Sequence, residues 1–137
     1  MPPAEERALE NEDLPSWRPK ESDTHIVQLE QINPDKYELY YTDPKTGEPI
    51  VREGNSNTVL ARYITMIIVR PRLLAAPNPP SQNDAIYKAE QIVEHLFVMA
   101  ANFRTVNLDL NTYAITRVRF EETDEMDLSH LRGFTQR

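Results

Sequence analysis

The stretch Thr58-Val59-Leu60-Ala61-Arg62-Tyr63-Ile64-Thr65-Met66-Ile67-Ile68-Val69-Arg70-Pro71-Arg72-Leu73-Leu74 is the strongest apolar run in the chain, and its reading decides the fold. Val59, Leu60, Tyr63, Ile64, Met66, Ile67, Ile68 and Val69 follow one another too closely for a strand with one wet face. A near-continuous run rich in β-branched side chains marks a strand buried on both faces. The run therefore predicts the central strand of a sheet over Thr58–Val69. Arg70-Pro71-Arg72 ends it, because proline cannot donate to a ladder.

Toward the C-terminus, residues 75–80 carry three prolines and read as an extended spacer. Ser81 then offers an N-cap, and Asp84 three positions on resembles the second half of a capping box. Ile86, Ala89, Val93, Leu96, Phe97 and Ala100 recur at helical spacing, while Lys88, Gln91, Glu94 and His95 fall on the opposite side. The spacing predicts an amphipathic helix over 81–103 lying across the sheet. Residues 105–111 alternate, with Val106, Leu108 and Leu110 inward, and Tyr113–Glu121 continues as a strand after a tight turn. In that second strand Ala114, Thr116, Val118 and Phe120 share one face, with Arg117 and Arg119 on the other.

Toward the N-terminus, period-two patterning predicts strands at His25–Ile32, Tyr37–Thr42 and Glu48–Arg52. The last two join through Asp43-Pro44-Lys45-Thr46-Gly47, where proline presets φ and glycine admits a positive one. Their faces are largely polar, so the hairpin at 37–52 is expected to project. Residues 1–24 hold seven acids, three bases and four prolines and read as an arm, leaving 25–137 as one domain. The expected fold is α+β: a mostly antiparallel sheet of five or six strands with one long helix packed on one face.

Composition restricts function. The chain has 137 residues, a formal net charge of −7 and no cysteine. The acidic balance argues against direct nucleic-acid binding, since phosphate repels it unless bases collect on one face. Absence of cysteine excludes disulfides, zinc–thiolate sites, iron–sulfur clusters and thiol nucleophiles. Three glycines leave no phosphate-cradling loop. No run of eighteen apolar residues predicts a membrane span, and the first residues lack the basic flank and apolar stretch of a signal peptide. Synthesis in the cytoplasm is the expectation.

His25, His95 and His130 show no metal-ligand spacing, and Ser129-His130 lacks a nucleophile elbow. No catalytic, cofactor or metal residue is therefore expected. The candidate contacts are of another kind. Trp17, flanked by Pro15 and Pro19, either docks on its own core or anchors a neighbouring chain. Arg62, Arg70 and Arg72 lie in a stretch without acids from Gly54 to Asn83, and Glu122, Asp124 and Glu125 lie in the densest acidic run. A basic strand and an acidic loop on one small protein can meet across copies in a ring. The bland reading is that these arginines pair within the chain or simply cover its surface.

The order of acidic arm, hairpin, central strand, amphipathic helix and two further strands resembles the small neck and tail-terminator proteins of long-tailed bacteriophages. Asp127-Leu128-Ser129-His130-Leu131-Arg132-Gly133-Phe134-Thr135-Gln136 is similar to the link from an acidic loop to that family's last strand. The resemblance implies a non-enzymatic virion assembly protein without cofactor, a ring subunit whose partners are its own copies and neighbouring neck or tail proteins. It also implies a location in the virion. The rival classes are a small enzyme or ligand-binding domain with a site assembled from distant residues, and a monomeric cytoplasmic adaptor. An apolar pocket lined by Tyr37, Tyr40, Tyr41 or His95 would favour the ligand-binding class.

Overall fold

A computed structural model describes residues 17–20, 22–54, 57–120 and 125–127. The fold is α+β, one antiparallel sheet with a long helix packed on it. Strands β1 (Ile26–Asn33), β2 (Lys36–Thr42) and β3 (Pro49–Gly54) precede a helical segment. That segment runs through α1 (Asn57–Tyr63), a π-helical stretch (Ile64–Val69) and α2 (Arg70–Leu74). The long helix α3 (Gln82–Phe103) and strands β4 (Thr105–Asp109), β5 (Ala114–Arg119) and β6 (Glu125–Asp127) complete the chain. The sheet order is β3-β2-β1-β4-β5-β6, so β1 is central.

The run at 58–74 is helical, which corrects the central-strand expectation. Spacing overrides composition there. Leu60, Ile64 and Ile68 recur every four residues, Val69 and Leu73 do the same, and all five are buried. Val59 and Ile67 point outward at 73% and 57% exposure, which fits a helix and rules out a strand buried on both faces. A β-branched residue costs a helix only about 0.5 kcal/mol in propensity, less than burying its side chain contributes. The π stretch also accommodates Pro71. The Arg70 N–H bonds back to the Thr65 carbonyl, five residues away, and Pro71 sits in the first turn of α2, where its missing N–H leaves no gap.

One face of the sheet carries the core. Val27, Leu29, Leu39, Tyr41, Val106, Leu108, Ile115 and Val118 meet Leu60, Ile64, Ala89, Val93, Leu96 and Ala100 from the helices. The Ser81 hydroxyl accepts from the Asp84 N–H at 3.1 Å, capping α3 as the sequence implies. Strand β5 departs from simple alternation. Its register slips against β4 between Asn107 and Leu108, so Leu108 faces Ile115 while Asn107 faces Arg117. That bulge puts Ile115 into the core with Val118, while Arg117 and Arg119 stay on the other face against the Trp17 ring, Arg119 at 2% exposure.

One further expectation is corrected, and Trp17 takes the first of its two readings. The hairpin at 37–52 does not project: β2 is bonded along its length to both β1 and β3, with Tyr37, Leu39 and Tyr41 in the core. Its turn forms as read, with Gly47 at φ 74° and the Lys45 N–H donating to Asp43 Oδ1. Trp17–Lys20 of the arm pack against the domain: Trp17 is 2% exposed, and the Lys20 carbonyl accepts from the Thr42 hydroxyl. No described helix is long and apolar enough to cross a membrane.

Candidate functional site

The helices do not close on each other completely. Between α1 with its π stretch and α3 lies an open groove of about 670 Å³. One wall is Thr58, Ala61, Arg62, Thr65 and Met66, a row at three- and four-residue spacing. The facing wall is the α3 row Ile86, Glu90, Glu94 and Val98 with the exposed Ala101, and the buried Val93 and Phe97 lie below it. Tyr37 from β2 forms the floor.

The floor is fixed. Tyr37 is 6% exposed, and its ring meets the edge of Phe97 with centroids 5.1 Å apart. Its hydroxyl accepts from Gln31 Nε2 at 3.0 Å. Thr65 turns its hydroxyl back onto the Ala61 carbonyl at 2.7 Å and so presents its methyl group. The charged residues sit on the rims. Arg62 stands on one wall and Glu90 and Glu94 on the other, all three exposed. The ion pairs among the described residues are Arg18–Glu30 and Lys36–Glu53, so none of these three is paired there. The groove thus offers an aromatic and aliphatic trough with one cation facing two carboxylates.

The opposite face of the sheet is polar yet covered. Gln28 is fully buried, donating from Nε2 to the Trp17 carbonyl at 2.5 Å and to Asn107 Oδ1 at 3.0 Å. Arg18 bridges to Glu30 at 3.1 Å, donates to Gln28 Oε1, and lies 3.6 Å over the Tyr40 ring. Trp17 stacks beneath Arg117 at 3.9 Å. Burial first, and then the hydrogen bond it donates to Glu38, hold the Tyr40 hydroxyl well above the ordinary tyrosine range. This arrangement anchors the arm to the sheet.

The contact residues read from the sequence are therefore dispersed. Trp17 is buried within its own chain, so it cannot anchor a neighbour while docked. Arg72 donates to the Thr24 carbonyl and to Asn111 Oδ1, and Arg70 approaches Gln82 Oε1 at 3.4 Å. Both make contacts within the chain at its surface, and of the three only Arg62 lines the groove. The basic strand does not exist, because its residues are helical. Glu122 and Asp124 lie outside the described residues, and Glu125 opens β6 opposite Arg119 rather than sitting in a loop. Among the described residues no group of three or more histidines, aspartates or glutamates is placed to hold a metal ion.

Glu90, Glu94, Val98 and Phe97 were not legible as a site, since α3 reads as one apolar and one polar face. The available signal was Val98, an apolar residue four positions beyond Glu94 in line with Glu90 and Glu94. Comparison of the chain with protein-family models, with curated proteins and with solved structures finds no match.

Proposed function

We propose that this chain is a non-enzymatic assembly protein, a ring subunit at the neck or tail end of a tailed-phage virion. Its partners are its own copies and the neighbouring virion proteins. The observation that supports this reading most is the helical layer. Its open groove lies in a surface that leaves Val59, Ile67, Tyr87 and Val98 between 50% and 73% exposed. Of these Val98 lines the groove itself, and large apolar side chains left exposed on one layer mark contact with another macromolecule. A heterologous contact that uses such a groove on every copy closes into a ring when the rotation between neighbours divides a full turn. Light scattering of the purified protein across a concentration series tests the reading. A single closed oligomer is the expected result, and a strict monomer at every concentration speaks against it.

Tyr37 on the floor of the groove favours a second reading, a small-ligand site of ordinary volume. A melting temperature raised by a small aromatic or amphipathic compound, in a protein that stays monomeric, would select that reading instead.

A further inference from the structure

We propose that the groove between α1 and α3 receives residues 128–137 of a neighbouring copy. The proposal rests on the ring reading above and names the segment that makes the contact. Residues 128–137 lie outside the described residues, and their sequence complements the groove. Leu128, Leu131 and Phe134 recur every three positions, and His130, Arg132 and Arg137 are interleaved with no acid. Facing them, the groove has an apolar trough floored by Tyr37 and Phe97, and Glu90 and Glu94 on its α3 rim have no ion-pair partner among the described residues. Two carboxylates against one guanidinium, Arg62, give the groove a negative balance that a basic, apolar-anchored segment fits.

Reach decides which copy supplies the segment. Asp127 pairs with Arg117 at the β6 edge, and the groove floor is on β2, four strand steps away through β5, β4 and β1. Four steps span about 19 Å in the plane of the sheet. The path must also rise over α3, whose width is about 10 Å with side chains. Leu131 lies four residues beyond Asp127 and reaches at most about 14 Å, and Phe134 at most about 25 Å. Leu131 falls short of the groove floor of its own chain, so the two anchors cannot enter that groove together, whereas an adjacent copy with its β6 edge beside the groove can supply both. The contact is head to tail, so each copy gives one segment and takes one.

Sedimentation velocity on four full-length proteins tests this. The groove variant is E90K/E94K, changed only at exposed positions, and the tail variant is L131D/F134D. The third protein is the wild type, and the fourth is the charge swap E90K/E94K/R132E/R137E. The wild type should be oligomeric, and each of the first two variants monomeric with an unchanged melting curve. An equal mixture of those two should form a dimer and nothing larger, because only the tail of the groove variant and the groove of the tail variant still match. The charge swap should restore oligomers with at least a tenfold gain in association over E90K/E94K. Oligomers that survive both variants overturn the proposal while leaving the ring reading in place. A mixture that stays monomeric beside an oligomeric wild type does the same. A monomeric wild type overturns both.

Discussion

Replacing Trp17 by alanine removes the largest fully buried side chain of the described residues, from a segment whose sequence reads as a loose arm. A buried tryptophan hides about 150–250 Å², which at about 25 cal/mol per Å² corresponds to roughly 4–6 kcal/mol. A compact unfolded state lowers that figure by about a quarter. Stacking beneath Arg117 at 3.9 Å adds about 0.5–1 kcal/mol. The backbone contact from Gln28 to the Trp17 carbonyl survives the substitution. The expected loss is about 4 kcal/mol, within the range for tryptophan-to-alanine changes in cores. For a chain of 137 residues the unfolding entropy is about 0.3 kcal/mol per degree, so the melting temperature should fall by about 13 °C. Urea unfolding followed by far-ultraviolet circular dichroism measures the change without the lost fluorophore. A loss below about 1 kcal/mol would refute the docking of Trp17 on its own domain.

Three further outcomes follow from the same geometry. Val93→Asp should leave the domain unfolded at room temperature, because Val93 is 1% exposed at the helix–sheet interface and an unpaired carboxylate there costs several kcal/mol; a cooperative melt like that of the wild type would contradict the packing. Arg104 ends α3 at φ 93°, a conformation natural only to glycine, so Arg104→Gly should raise stability by about 0.5–1 kcal/mol in urea, and a decrease would show the turn is held by the arginine side chain. Burial holds the Tyr40 and Tyr41 hydroxyls above their ordinary range, assisted by the bonds to Glu38 and Tyr63, so the folded state favours the neutral phenols. Their stabilisation is complete below about pH 10, where unfolded tyrosine starts to ionise, and is lost as pH rises through the higher folded values. The urea midpoint should therefore drop above about pH 10 in the wild type and drop less in Y40F/Y41F; equal slopes would count against this.

Much of the architecture is legible because it depends on local signals. Ser81 and the Ile86–Ala89–Val93–Leu96 spacing define α3, and Pro44 with Gly47 defines the β2–β3 turn. The run at 58–74 misleads because two of its outward positions, Val59 and Ile67, are themselves apolar and hide the four-residue period. The π stretch hides it further, since it puts the adjacent Ile68 and Val69 both inside. The groove was illegible for the same reason: it needs two helices, and a chain read with one cannot have it. The polar face was hidden differently. Gln28, Glu30 and Arg119 look like solvent-facing residues, and only the docking of Trp17 and Arg18 on that face accounts for burying Gln28 and Glu30.

The absence of cysteine from the chain makes one measurement direct. Val98 stands on the α3 rim of the groove at 50% exposure, and Thr135 follows the last apolar anchor of the C-terminal segment. A V98C/T135C protein, oxidised under mild conditions and run on a non-reducing gel, reports which groove the segment enters. The account predicts a ladder of covalent oligomers that ends at the ring size and collapses to monomer on reduction. A single band of monomer with both thiols consumed, or thiols left free in every species, would contradict it.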